Sequence, residues 1–301
     1  MGAQAMIGTV VVPLDGSPLA EEALPYAAAI AERSQAPLHL LRVIPPDAPA
    51  AAEEEARRYL REKARTFGDR VQLSVHIGHP AEQIIDSAAE MSDPIIVMTT
   101  RGRSGIGRWI YGSVADQVVR AAEVPVLLIR SGMPRRATDT FRRILVPLDG
   151  SAYAEAALPV AVQLARAFDA ELVLVRVAET SQIYRTLTPT APTPIAVETL
   201  DEIAAQVRSE ARSYLHQVAE RLQREGVRVQ SEVLEGFPTE QLLAYERDQT
   251  VDLVVMATHG RSGVSRLVFG SVAERILRLG QTPVMMVKPT GELASADDGD
   301  H

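Results

Sequence analysis

Short apolar runs alternate with helix-spaced stretches along the whole chain, and the alternation occurs twice. Runs rich in Val, Ile and Leu fall at 9–14, 38–44, 71–77, 94–99 and 124–129 in the first half. In the second half they fall at 143–148, 171–177, 227–234, 252–257 and 283–287. Several are near-continuous rather than alternating, as expected of strands buried on both faces of a parallel sheet. Helical spacing lies between them, for example at 53–67 and 210–225. Strand alternating with helix predicts a doubly wound α/β sheet in each half. Pro25 and Pro159 occupy equivalent places inside the first predicted helix, where a proline either kinks a helix or divides it.

The halves also repeat as sequence. Val12-Pro13-Leu14-Asp15-Gly16-Ser17 returns as Val146-Pro147-Leu148-Asp149-Gly150-Ser151. Gly102-Arg103-Ser104-Gly105 returns as Gly260-Arg261-Ser262-Gly263, and Gly112-Ser113-Val114-Ala115 as Gly270-Ser271-Val272-Ala273. A period this long marks a duplicated domain, not a solenoid, and each copy serves as a control for the other. The expected organisation is one domain over 1–131, a linker over 132–141, a second domain over 142–289 and a disordered acidic tail over 290–301. The offset between copies grows from 134 at Asp15/Asp149 to 158 at Gly102/Gly260, so the second copy holds 24 extra residues, assigned to 179–199. The prolines at 189, 192 and 194 exclude regular helix or central strand there. Two readings remain open, a loose surface insertion and a lid.

Composition narrows the chemistry. No cysteine occurs in the 301 residues, so disulfides, thiolate metal sites and cysteine nucleophiles are excluded. That fits a reducing compartment, and a cytoplasmic location is the expectation. No apolar run approaches the ~20 residues of a membrane span, and the first residues lack the order of a secretory signal. The net charge of −8 argues against nucleic acid as a partner. Lys63 and Lys288 are the only lysines and neither lies in a glycine loop, so a phosphate site must use backbone N–H groups and arginine.

Ligands of open α/β sheets bind beyond the carboxyl ends of the strands. Two loops there are shared by both copies. In the first, Ser17 suits a helix cap with Pro18 at the first helical position. Capping explains Asp15 and Asp149 less well, because each sits two residues earlier; a strand-tip carboxylate accepts hydrogen bonds from a sugar hydroxyl or a base amino group. The second loop runs from Gly102 to Ser113 and, at the same length, from Gly260 to Ser271. Ser113 with Asp116, and Ser271 with Glu274, fit capping boxes opening the last helix. Glycines allow close backbone approach and a helix start attracts anions, so the repeated loop with Arg103 or Arg261 points to phosphate.

These residues resemble the ATP-binding signature of the universal stress protein family: Gly, two residues, Gly, nine residues, Gly-Ser or Gly-Thr. Gly102 to Gly112-Ser113 and Gly260 to Gly270-Ser271 match its later part, with the Val-Pro-Leu-Asp-Gly-Ser strand end beside it. The first glycine is replaced by Thr99 and Ala257. The resemblance covers nearly the whole chain. It implies Rossmann-like domains of the adenine nucleotide alpha hydrolase type, each a five-stranded parallel sheet of order 3-2-1-4-5 with helices on both faces. It further implies that Asp15 and Asp149 meet the adenine and ribose end. Pro13 with Val43, and Pro147 with Val177, would frame the base. Gly102, Arg103, Gly105, Gly112, Ser113 and Val114 would hold the phosphates, as would Gly260, Arg261, Gly263, Gly270, Ser271 and Val272. ATP is the implied cofactor, with Mg2+ on its phosphates as an option. The family likeness also implies pairing of the fifth strands within one chain, an internal pseudo-dimer, with further homodimerisation left open.

The expected function is nucleotide-dependent regulation or sensing in a stress response, through a protein partner the sequence does not name. The alternatives are a slow ATPase or phosphotransferase and an interaction module that binds no nucleotide. No serine, histidine and acid set repeats in both copies, which favours the non-enzymatic reading. His76-Ile77-Gly78-His79 resembles a nucleotidyltransferase motif, but it follows the third strand and its counterpart Leu234-Glu235-Gly236-Phe237 has neither histidine. The shared glycine is read as a strand-to-helix turn, and the Tyr59/Leu60 and Tyr214/Leu215 pairs as core.

Overall fold

Burial on both faces organises the molecule. The computed structural model describes residues 7–68, 70–100, 112–131, 141–180, 197–258 and 270–289. In the first half, β1 (Thr9–Pro13), β2 (Leu38–Ile44), β3 (Val71–Ile77), β4 (Pro94–Thr99) and β5 (Val126–Ile129) alternate with helices. These are α1 (Pro18–Glu21), α2 (Leu24–Ser34), α3 (Ala51–Ala64), α4 (Pro80–Ala89) and α5 (Ser113–Ala121). The second half repeats the plan with β6 (Arg143–Pro147), α6 (Ala152–Glu155), α7 (Leu158–Phe168), β7 (Glu171–Ala178) and α8 (Val197–Arg224). It continues with β8 (Val229–Glu235), α9 (Pro238–Asp248), β9 (Leu253–Ala257), α10 (Ser271–Leu279) and β10 (Val284–Val287).

The strands form one sheet of order β3-β2-β1-β4-β5-β10-β9-β6-β7-β8. Each half therefore has the expected 3-2-1-4-5 order, and the implied pairing of the fifth strands joins them. β5 and β10 run antiparallel, with Leu127 opposite Met285, while the other neighbours run parallel. Every residue of β4, β5, β9 and β10 is buried, which is why these runs lack alternation. The outer strands β3 and β8 mix exposed and half-buried positions.

Pro25 and Pro159 divide their helices instead of kinking them. Each stands in the first turn of a second helix, where the missing N–H costs nothing. Helix α8 is 28 residues long against 14 for its counterpart α3, so part of the extra chain is helix, and Val197–Thr199 of the assigned insertion belong to it. The remaining insertion residues 181–196, the linker residues 132–140 and the tail 290–301 lie outside the described residues.

Two apolar layers cover the sheet, and each contains residues of both halves. On one face Phe141 packs against Phe168 of α7 with ring centroids 4.7 Å apart, and stacks on Tyr26 of α2 at 6.4 Å. Replacing Phe141 by Ala empties this junction and is expected to lower stability by about 3–5 kcal/mol. A fall in the urea midpoint equivalent to less than about 1 kcal/mol, at unchanged slope, would mean that the halves do not lean on this ring.

His39 on β2 is a buried imidazole beside Gln72 and Ser74; its Nε2 lies 2.7 Å from Ser74 Oγ. Burial lowers its pKa below the ordinary 6.5, the Gln72 hydrogen bond opposes this, and His76 adds to the lowering. The native state therefore holds the neutral ring. As pH falls below about 6.5 the unfolded chain takes up the proton first, and stability declines until the folded value is passed. The second half has Val173 at this position. His39→Val is expected to flatten that part of the stability curve, measured as urea midpoints at a series of pH values from about 7.5 to about 5. An unchanged pH dependence would show that other groups carry it.

Candidate functional site

In each half, β1 or β6 ends in a loop that turns back into a short helix. Gly16 and Gly150 take the turn at φ +85° and +90°. Ser17 caps α1 by accepting from the Ala20 N–H at 3.1 Å, and Ser151 does the same for Ala154. The aspartates take part in the turn as well. Asp15 Oδ1 accepts from the Ser17 N–H at 2.8 Å, and Asp149 Oδ1 from the Ser151 N–H at 2.9 Å. Each carboxylate is thus fixed at a strand tip by its own loop, half-buried and facing a cleft.

A brace behind this loop escaped the sequence reading. Arg42 lies over the Tyr59 ring at 4.9 Å, and its guanidinium nitrogens crowd the side of Gly16 where a Cβ would project. The Tyr59 hydroxyl donates to Glu21 Oε1 at 2.9 Å, and Lys63 pairs with Glu21 Oε2 at 2.8 Å. The second half repeats the arrangement. Arg176 covers Tyr214 at 5.1 Å, Tyr214 donates to Glu155 at 3.0 Å, and Arg221 pairs with Glu155 at 2.7 Å. Burial first, then the neighbouring Glu21 or Glu155, holds both phenols well above their ordinary pKa, so they remain hydrogen-bond donors. Leu60 and Leu215 are core as expected, whereas Tyr59 and Tyr214 are half-buried links between a core and a charged cluster. Comparing the copies offered a signal, since Glu21/Glu155 and Arg42/Arg176 are spaced alike.

The second shared loop leaves the sheet at Thr100 and returns at Gly112, where the Gly112 N–H donates to the Thr100 carbonyl at 2.6 Å. Gly270 closes onto Thr258 in the same way at 2.9 Å. Helices α5 and α10 begin at the next residue. The capping boxes expected here do not form: Gly112 and Gly270 occupy the cap positions, and Ser113 and Ser271 are the first helical residues. Asp116 turns away to Arg120, with the guanidinium Nε 2.9 Å from Oδ2. That hydrogen bond is the main reason the Arg120 pKa is raised. The first N–H groups of a helix have no intrahelical acceptor, and among the described residues no side chain caps them in α5 or α10. Both helix starts offer amides and a positive dipole end to their cleft.

Of the residues singled out from sequence in the first half, Pro13, Asp15, Val43, Gly112, Ser113 and Val114 line one cleft of about 270 Å3. Pro147, Asp149, Val177, Gly270, Ser271 and Val272 line a second, of about 560 Å3. Thr99 and Ala257, the departures from the glycine pattern, line the same clefts. Gly102, Arg103, Gly105, Gly260, Arg261 and Gly263 lie outside the described residues. The His76–His79 segment forms a strand end and a turn. His76 is in β3, Gly78 has φ +150° and His79 precedes α4. Among the described residues no three His, Asp or Glu side chains converge as a metal site, and no helix is long and apolar enough to cross a membrane.

The model of the universal stress protein family matches residues 6–130 and again 140–288. A universal stress protein of Mycolicibacterium smegmatis is 28% identical over 305 aligned positions, spanning 93% of this chain and 97% of that protein. One from Mycobacterium tuberculosis is 27% identical over 300, spanning 93% and 96%. The crystal structure of a universal stress protein from Archaeoglobus fulgidus superposes with a TM-score of 0.69 at 21% identity, over 95% of this chain and 98% of that one. With two consecutive matches to the family model and the same fold repeated in both halves, the chain belongs to the universal stress protein family as a tandem, two-domain member.

Proposed function

We propose that this protein binds an adenine nucleotide of the ATP type and acts as a nucleotide-dependent regulator of a stress response, not as an enzyme. One observation carries the reading: in both halves a fixed strand-tip carboxylate, a Pro/Val pair and a helix start with uncapped amides line a single cleft. Each part suits a different part of the ligand. The apolar walls take the purine, Asp15 or Asp149 accepts from its polar edge or from the ribose, and the amides of α5 or α10 receive phosphate. A divalent ion would ride on the phosphate oxygens, since no described carboxylate cluster is built to hold it.

Titration calorimetry with ATP is expected to give saturable heat that a Gly112→Val, Gly270→Val double variant loses. Asp15→Ala is expected to weaken binding at the first cleft about tenfold, while Pro25→Ala leaves it unchanged. Equal effects of the two would make Asp15 a turn residue only. Turnover is read separately, from phosphate released over hours by the purified chain. Multiple turnovers that vanish in the double glycine variant would replace the regulator with an ATPase.

A further inference from the structure

The two clefts are not equal, although the duplication began them as copies. The second is about 560 Å3 and the first about 270 Å3, roughly half as large. The difference is chemical too. Glu179, Thr239 and Arg275 line the second cleft. Their counterparts by the offsets of the duplication are Pro45, Ala81 and Gln117, so a carboxylate, a hydroxyl and a guanidinium are replaced by groups without charge. None of the three counterparts is among the residues that line the first cleft.

Arg275 stands one turn along α10 from Ser271 and shares its face of the helix. Among the described residues it has no ion-pair partner, unlike Arg120 on α5, which Asp116 occupies. Its guanidinium lines the second cleft, one turn from the helix start. A guanidinium beside free amides matches the geometry of a phosphate chain. Among the described residues that line the first cleft there is no cationic side chain, and its walls are mostly apolar.

We propose that the clefts have divided their ligand specificity. The second binds a nucleoside polyphosphate, with Arg275 as the residue that selects for the phosphate chain, and the first holds the nucleoside end without that selection. This rests on the nucleotide reading given above. Calorimetry on the full chain with ATP and with adenosine separates the two ideas. The expected result is one tight ATP per chain, lost in Gly270→Val. Arg275→Gln is expected to weaken ATP about tenfold and adenosine less than about twofold. Gln117→Arg, the reciprocal change, is expected to raise the number of tight ATP sites towards two. Two equal ATP sites in the unmodified chain would overturn the division while leaving nucleotide binding intact. Equal losses of ATP and adenosine in Arg275→Gln would also overturn it. No heat with either ligand would overturn both proposals together.

Discussion

Everything in this molecule follows from burying a parallel sheet on both faces. Parallel strands cannot be joined by tight turns, so each connection must cross the sheet as a helix, and the carboxyl ends of the strands emerge on one edge. With β1 flanked by β2 on one side and β4 on the other, the connections leave towards opposite faces and part at that point. The cleft is a product of topology before any side chain is chosen. Pro13, Leu14 and Asp15 then furnish one wall and Gly112 and Ser113 the other, and the Arg42–Tyr59–Glu21 brace stands behind the loop of the first.

The same burial makes the fifth strands difficult to leave alone. β5 and β10 have no exposed position, and such an edge would invite pairing with any other chain. They cover each other, and their antiparallel run sends the two sets of strand ends to opposite edges of the merged sheet. Cross-half contacts flank the junction. Arg130 donates to the Gly280 carbonyl at 3.0 Å, just past the end of α10, and Lys288 reaches Glu123 just past α5 at 2.7 Å. Each helix that opens onto a cleft at its start is thus held at its other end by a cation of the opposite half, where the helix dipole favours one.

Most of the architecture is legible in the residue pattern, because few folds besides a duplicated α/β sheet need both continuous apolar runs and so long an internal repeat. Strand order and the pairing of the halves are not legible that way; they came from likeness to a family and stand in the hydrogen-bond registers. At the site, five of the six expected positions that line each cleft sit in shared motifs and could be found by comparing copies, whereas Val43 and Val177 came from likeness to the family. The capping boxes failed for a local reason. Ser-x-x-Asp looks the same whether the serine precedes the helix or begins it, and the extended backbone of Gly112, with ψ 148°, settles the matter. The tyrosine brace failed for a distant one. Apolar spacing counts Tyr59 as core, and the carboxylate that claims its hydroxyl is 38 residues away in sequence.

The junction of β5 with β10 has a further consequence. In an assembly of separate single-domain chains such a junction would obey mass action and come apart on dilution. Here the partners share one backbone, so each meets the other at a fixed effective molarity however scarce the protein is. Closed two-fold symmetry would also oblige both subunits to carry identical side chains. A fused pair escapes that obligation, and a substitution such as Gln117 against Arg275 can be kept on one side without being imposed on the other.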